Sequence, residues 1–227
     1  MQLQQLKLNN LNLKGSYGNL LTLTSIDPSK QWSLNAQGQS DIQYALVSNL
    51  LNIRAPPLKI IHSSSLGNNT NLDLDPFWTG NGATNNWSDA NNWDTGTTPT
   101  EYDIVTFDGV TGNNPNKDSI IDGLFQGTVD DLNLNGYTGI LTLARDLALR
   151  GNFNHQTGTF AAATYTVTFI DASKASIISG NNTFYNLVCV TPGKVLKFEA
   201  GKTQTILNNF TVEGVQGNLI RLVSTVD

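Results

Sequence analysis

Three tryptophans form the most distinctive group of potential binding residues in the chain. Trp78, Trp87 and Trp93 fall within 16 residues, and Asp89 and Asp94 lie beside them. An indole face packs well against a pyranose ring, so these side chains could form a glycan platform with the carboxylates orienting its hydroxyl groups. The same indoles could instead form a buried aromatic cluster, with the aspartates capping turns. The buried cluster is the simpler interpretation, and the glycan platform is its alternative.

Carboxylates could hold Ca²⁺ or hydrolyse glycosides, but few here are suitably arranged. Asp73 and Asp75 alternate, so both would point to one face of a strand, whereas the adjacent Asp130 and Asp131 would diverge. Ca²⁺ takes about six to eight oxygen ligands, and the segment around Asp73 is too poor in them. No two acids stand out as the pair that a glycosidase requires. The sequence therefore predicts no metal and no cofactor.

Nucleophilic catalysis also finds no support in the sequence. The two histidines, His62 and His155, lie 93 residues apart and outside any H-E-x-x-H pattern. Neither a G-x-S-x-G motif nor a phosphate-binding glycine loop is present. The single cysteine, Cys189, lies in an alternating apolar run and is predicted to be a small buried residue rather than a reactive thiol. We therefore predict that the chain is not an enzyme.

Charge and hydropathy narrow the range of partners. The 227 residues include 13 Lys and Arg against 18 Asp and Glu, for a net charge of −5, and the basic residues are scattered singly. Binding phosphates requires clustered Lys and Arg, so a nucleic-acid partner is not expected. No apolar run reaches the length of about 18 residues that a membrane-spanning helix needs, so no membrane span is predicted.

The periodicity predicts short β-strands throughout. Apolar residues alternate with polar ones in most segments, for example at Leu132 and Leu134 or at Leu141 and Leu143, which indicates strands with one buried face. The chain contains 28 Asn and 20 Gly, residues that favour tight turns. No amphipathic helix of convincing length is found. The fold class is therefore predicted to be all-β.

A repeat links the two ends of the chain. Residues 5–25 align without a gap to residues 204–224 at an offset of 199, with 10 of 21 positions identical. The identical positions of the first copy are Gln5, Leu8, Asn9, Asn10, Gly15, Gly18, Asn19, Leu20, Leu23 and Ser25. A weaker similarity relates residues 132–143 to residues 187–198, 55 positions later. The chain thus ends in the same phase of a repeat in which it begins.

Repeated rungs of short strands favour a right-handed parallel β-helix, in which each coil covers only its neighbours. The alternative is two β-sandwich modules that divide near residue 77. Residues 1–76 would be the end of one β-helical repeat, residues 77–109 a Trp-rich loop or boundary, and residues 110–227 the coils of the next repeat. The residues expected at the assembly ends are Leu8, Leu11, Leu13, Leu21 and Leu23 at one end and Leu207, Phe210, Val212, Ile220 and Leu222 at the other.

The Trp-rich segment also carries a resemblance to a known class of proteins. Its pattern runs through Trp78-Thr79-Gly80, Trp87-Ser88-Asp89-Ala90-Asn91-Asn92-Trp93, Gly96, Pro99 and Asp103-Ile104-Val105-Thr106-Phe107. It resembles one that recurs in large bacterial surface proteins, including autotransporter passengers and other β-helical, adhesin-like repeat proteins. Residues 180–205 and 18–32 are also similar to their repeats. The resemblance implies a β-helix and an extracellular or cell-surface location, and it transfers no catalytic residue.

The function predicted from these features is structural. The chain would be a building block of a surface fibre, stalk or sheath, and its partners would be other copies of itself, in covalent tandem or stacked head to tail. An adhesin or carbohydrate-binding module, with surface glycans as partners of the Trp cluster, is the alternative. A polysaccharide-active enzyme is a distant third.

Overall fold

The structure, a computed structural model, describes residues 5–16, 19–54, 57–61 and 63–226. It divides into two compact units, the first ending at Asp75 and the second beginning at Pro76. Among the described residues, no helix is long and apolar enough to cross a membrane.

The first unit consists of three parallel sheets. Its strands are β1 (Gln5–Leu8), β2 (Leu11–Lys14), β3 (Leu21–Leu23), β4 (Trp32–Ala36), β5 (Ser40–Gln43), β6 (Ala45–Val47), β7 (Leu50–Asn52), β8 (Leu58–Ile61), β9 (Ser64–Ser65) and β10 (Leu72–Leu74). The sheets have the orders β1-β4-β7, β2-β5-β8-β10 and β3-β6-β9. Strands that follow each other in one sheet belong to successive coils, so the unit is a solenoid. Its core is small and aliphatic, with Leu34, Ile42, Val47, Leu50 and Ile60 fully buried.

The second unit is also a solenoid of parallel sheets, with a larger core. Its strands are β11 (Ile104–Phe107), β12 (Ser119–Ile121), β13 (Thr128–Val129), β14 (Asp131–Leu134), β15 (Ile140–Leu143), β16 (Leu147–Leu149), β17 (Phe153–His155), β18 (Thr159–Ala161), β19 (Thr166–Phe169), β20 (Ser176–Ser179), β21 (Asn182–Cys189), β22 (Val195–Phe198), β23 (Gln204–Val212) and β24 (Arg221–Ser224). The sheets run β11-β14-β17-β20-β22-β24, β12-β15-β18 and β13-β16-β19-β21-β23. The alternating residues that point inward form one aromatic and aliphatic core.

The parallel β-helix prediction is confirmed, and the sandwich alternative is wrong. Every pairing between the named strands is parallel and joins one coil to the next, as Leu132 beside Phe153 and Leu147 beside Val167 illustrate. A β-sandwich would be built from antiparallel neighbours. The inner face of each coil is therefore covered by the coils on either side of it.

The Trp-rich segment is a partial coil rather than a free loop. Phe77 forms a parallel bridge with Thr106 of β11, and Asn86 forms another with Ile120 of β12. A 3₁₀ turn at Ala90–Asn92 then brings the chain back, and Trp78 and Trp93 meet in an antiparallel bridge. The segment covers the end of the second unit at which that unit begins.

The two segments of the weaker internal similarity, residues 132–143 and 187–198, do not occupy equivalent positions in the coil. Residues 132–134 lie in β14 of the six-stranded sheet, whereas residues 187–189 lie in β21 of the five-stranded sheet. The matched segments contain two or three apolar positions per strand, which are too few to distinguish one face of a solenoid from another. The similarity therefore reflects a shared alternation and not a shared position in the coil.

Candidate functional site

The two coils related by the sequence repeat have the same local structure. At the offset of 199, β1 and β2 correspond to the two halves of β23, and β3 corresponds to the start of β24. Ser16 and Asn19 form an antiparallel bridge, and so do their counterparts Val215 and Asn218. The amide of Asn19 donates to the carbonyl of Ser16 at 2.9 Å, and the amide of Asn218 donates to that of Val215 at the same distance. The repeated sequence thus folds into the same turn and flanking strands at both positions.

A glycine fixes the same corner in both coils. A Cβ added at Gly15 would lie 2.7 Å from the amide nitrogen of Leu21, and one added at Gly214 would lie 2.9 Å from that of Ile220. Contacts this short do not occur for real side chains, so only glycine lets the chain pass this close to the residue six positions later. The repeated glycine is thereby explained by packing.

Both coils lie at edges of their sheets. In the first unit, β1, β2 and β3 are the terminal strands of the three sheets, and in the second unit β23 and β24 are terminal. Each edge carries a row of backbone donors and acceptors that a further strand could pair with. The coil at residues 5–25 and the coil at residues 204–224 are called the N-terminal and C-terminal end coils below.

The C-terminal end coil exposes the side chains that an inner coil buries. Phe210 is 46% exposed and Leu222 45%. Leu207 is 64% exposed, but it lies at a register shift between β21 and β23, where its neighbour Ile206 packs against the core instead. Phe210 lies beside Leu187, and Leu222 lies beside Leu196, and both of these inner partners are fully buried. The other predicted assembly residues are half-buried, apart from Leu11, which is buried: Leu8, Leu13, Leu21 and Leu23 at the N-terminal end coil, and Val212 and Ile220 at the C-terminal one. A further coil on either end would remove apolar surface from water.

One ion pair marks the edge of the N-terminal end coil. Lys14, the last residue of β2, places its Nζ 2.7 Å from Oδ2 of Asp41 on β5. The hydrogen bond from this ammonium holds the pKa of the Asp41 carboxyl below its usual value. The counterpart of Lys14 at the offset of 199 is Glu213, an exposed residue that directly follows β23. The repeat therefore inverts the charge at this single position.

The three tryptophans are buried in the second unit. Trp78 and Trp87 have no exposed surface, and Trp93 is buried as well. Each indole nitrogen has an internal acceptor: Trp78 donates to the carbonyl of Lys117 at 3.1 Å, Trp87 to Oγ of Ser119 at 2.7 Å, and Trp93 to the carbonyl of Trp87 at 2.9 Å. A sugar-stacking platform needs an open indole face. This burial does not fit the glycan site proposed at these residues.

The indoles instead close the core of the second unit. Trp93 meets Trp78 and Trp87 edge to face, at centroid distances of 5.3 and 5.2 Å. Trp78 and Trp87 both stack on Phe107, the last residue of β11. Such pairs add to the stabilisation that burial of the rings provides. The Trp cluster is therefore a cap over the first coil of this unit.

Polar groups around the Trp cluster are used to hold this cap. Asp89 accepts hydrogen bonds from Thr84 and from the amide of Asn91, and Asp94 accepts one from the amide of Phe77 at 2.8 Å. The ammonium of Lys117 donates to the carbonyls of Gly82 and Thr84 at 2.8 and 2.7 Å. Burial raises the pKa of Asp94 to about 6, and the nearby Asp108 adds to the rise. Both aspartates thus serve the turn structure.

A buried ammonium holds a second corner of the same unit. Lys194 has no exposed surface, and its Nζ donates to the carbonyls of Arg150, Asp171 and Lys174 at 3.1, 2.6 and 3.0 Å. Burial lowers its pKa, and the carboxylate of Asp171 opposes the shift. No sequence motif indicated this role, because the three acceptors are backbone atoms that only the fold brings together.

The remaining candidates for chemistry are not assembled into a site. Asp73 and Asp75 both pair with Lys59, and among the described residues no group of three His, Cys, Asp or Glu side chains could hold a metal. His155 contacts Asn182 and Gly158, and His62 lies outside the described residues. Cys189 is fully buried, and burial raises the pKa of its thiol, which disfavours the reactive thiolate.

No protein-family model matches the chain, no curated protein matches its sequence, and no solved structure matches its fold. The two end coils therefore stand as the candidate functional site on their geometry alone.

Proposed function

We propose that this chain is a non-catalytic structural module of an extracellular or cell-surface array, and that its end coils continue the solenoid from one copy to the next. The observation that carries this proposal is the match between the end coils, which share their strands, their tight turn and their glycine corner at an offset of 199. A module that begins and ends in the same phase can be repeated without a change of structure.

The two ends of the second unit differ in how far their apolar side chains are covered, and this difference supports an assembly role. The start of the second unit is covered by the Trp cluster, with its rings buried and its polar groups paired. The C-terminal end coil has no comparable cover among the described residues and exposes Leu207, Phe210 and Leu222. Solenoids need polar capping coils to remain soluble as single units. The exposed Phe210 and Leu222 support a neighbouring coil that covers this edge.

The neighbour we propose is another copy of this chain. The two end coils are different surfaces of one molecule, so a contact between them is heterologous and either propagates or closes into a ring. Covalent tandem repeats at a spacing of 199 residues would use the same continuity within one polypeptide. The extracellular location rests on the resemblance of the Trp-rich pattern to β-helical surface repeats.

A polypeptide with two periods tests the proposal. Residues 5–203 would be followed directly by a second copy that starts at residue 5, so that one end coil becomes an inner coil. We expect a single cooperative unfolding transition and a higher Tm than for the single period, because the shared coil buries its apolar side chains. Two independent transitions at the Tm of the single chain would overturn the proposal.

A further inference from the structure

We propose that two separate copies join by direct stacking of the C-terminal end coil of one on the N-terminal end coil of the next, so that residue i+199 of one copy lies beside residue i of the other. This junction rests on the proposed function and adds to it a register, a set of paired residues and one ion pair.

The backbone edges are compatible with this register. The N-terminal end coil pairs with the next coil of its own unit through Gln5 beside Ser33 and Leu11 beside Ser40. Within the described part of the chain, no strand pairs with the opposite edge of β1 and β2, or with the edge of β23 that faces away from β21. From Leu11 and Phe210 onwards the two coils share their strands and the intervening turn, so the two edges match over this part of the coils.

The register aligns like residues. It places Phe210 beside Leu11, Val212 beside Leu13 and Leu222 beside Leu23. Phe210, Val212 and Leu222 lie on the strand faces that point to the core, beside the buried Leu187, Cys189 and Leu196 of the preceding coil. Apolar residues on the same face of adjacent parallel strands pack against one another. The junction would bury Phe210 and Leu222 as Leu187 and Leu196 are buried within the second unit.

Asparagine side chains accept hydrogen bonds across a coil boundary in both units. In the second unit, Oδ1 of Asn186 accepts from Nδ2 of Asn208 at 2.8 Å and from the backbone amide of Asn209 at 3.3 Å. In the first unit, Oδ1 of Asn10 accepts from the backbone amide of Gln39 at 3.0 Å. The register sets Asn208 and Asn209 beside Asn9 and Asn10 of the next copy. A backbone amide in the first coil of the next copy can thus donate to an asparagine Oδ1 in the last coil of the copy before it.

The charges favour direct stacking over exchange of end coils. If the C-terminal end coil displaced the N-terminal one, Glu213 would take the place of Lys14 and face the carboxylate of Asp41. Direct stacking instead sets Glu213 beside Lys14, so that the ammonium of Lys14 lies between the carboxylates of Glu213 and Asp41. Among the described residues of the two coils, this is the only aligned pair in which both members are charged. The single charge inversion in the repeat is therefore complementary in one arrangement and repulsive in the other.

Sedimentation velocity over a wide range of concentrations, combined with negative-stain electron microscopy, tests this register. We expect the wild-type chain to associate as concentration rises. Glu213→Lys should weaken the association by about tenfold or more, because like charges then face each other at the junction. The effect should shrink at high salt, since this pair is exposed to solvent.

A sign-inverted variant separates the register from a general effect of charge. Lys14→Glu, Asp41→Lys and Glu213→Lys in one chain reverse every charge in the row and should restore association. The matched control is Val110→Lys with Leu124→Lys, which makes the same change in net charge at exposed apolar residues that belong to neither end coil. This control should associate as the wild type does.

The outcomes distinguish the register from the function. Association that is insensitive to Glu213→Lys, or that the sign-inverted variant fails to restore, would overturn the register while leaving end-to-end assembly in place. Wild-type chains that stay monomeric at all concentrations would overturn the junction between separate copies, and the two-period polypeptide would then decide independently whether the covalent array stands.

Discussion

Leu187 and Phe210 are direct partners on adjacent strands of one sheet, yet Leu187 is fully buried and Phe210 keeps 46% of its surface exposed. The difference arises because β21 is covered on both sides and β23 on one side only. The pair thus compares an inner coil with an open end in the same molecule.

This contrast predicts unequal costs of substitution. Leu187→Ala should lower the free energy of unfolding by about 2 to 5 kcal/mol, because it leaves a cavity in the core. Phe210→Ser should cost about 1 kcal/mol, since half of the ring is already in water. Urea denaturation followed by circular dichroism measures both values. Phe210→Ser should also weaken association, and equal losses of stability for the two variants would contradict the assignment of an open end.

The Trp cluster predicts a structural phenotype. Trp87→Ala should lower the free energy of unfolding by about 3 to 5 kcal/mol, as expected for a fully buried large ring. The control is Tyr102→Ala, at an exposed ring 4.9 Å from the guanidinium carbon of Arg150, which should cost about 1 kcal/mol or less. If Trp87→Ala left stability unchanged and abolished binding to a glycan array, the Trp cluster would be a glycan-binding site and not a structural cap.

Asp94 predicts a rise in stability on mild acidification. Its pKa is about 6 in the folded chain against 3.8 as the ordinary value, so the folded state binds more protons between these values. Stability should therefore increase as pH falls from 7 to 4, and the ionised group costs about 3 kcal/mol at neutral pH. Asp94→Asn should remove the contribution of Asp94 to this dependence and raise stability at pH 7, whereas Asp131, whose pKa is also raised by burial, retains its own contribution.

The control for this prediction is Asp171, a carboxyl whose pKa is shifted in the opposite direction. Hydrogen bonds from Ser173 and the charge of Arg150 hold the pKa of Asp171 below its usual value. Its contribution is present at neutral pH and is lost as pH falls through the lowered pKa, so Asp171→Asn should reduce stability at pH 7. Thermal unfolding across the pH range measures both variants. An Asp94→Asn curve parallel to that of the wild type would show that this carboxyl titrates normally.

Lys194 predicts a large cost for loss of a buried charge. Lys194→Met should lower the free energy of unfolding by about 3 kcal/mol or more, because the carbonyls of Arg150, Asp171 and Lys174 lose their shared donor inside the protein. Lys174 offers a control at the same corner, since it forms a partly exposed ion pair with Asp130. Lys174→Met should cost less than about 1 kcal/mol. Similar losses from both lysines would mean that the buried ammonium contributes nothing special.

The sequence predicted the fold because its determinants are local and repeated. The alternation at positions such as Leu132 and Leu134 identifies strands, and the match at an offset of 199 identifies the end coils. The environment of Trp87 could not be predicted, because an indole suits a core and a sugar equally well. The role of Lys194 was missed because its acceptors are backbone atoms of residues 150, 171 and 174. The importance of Glu213 becomes visible only when the charge inversion is placed on two open edges.

Site-specific crosslinking tests the stacked junction most directly. Chains carrying Asn208→Cys would be mixed with chains carrying either Asn9→Cys or Gln37→Cys, all three at exposed positions, and treated with a short bifunctional maleimide. Direct stacking places residue 208 beside residue 9 of the next copy, whereas exchange of end coils places it beside residue 37, since Gln37 donates to the carbonyl of Leu8 in the single chain. We predict efficient crosslinking from position 208 to position 9 and little to position 37. The reverse preference, or no crosslink to either position, would contradict the account.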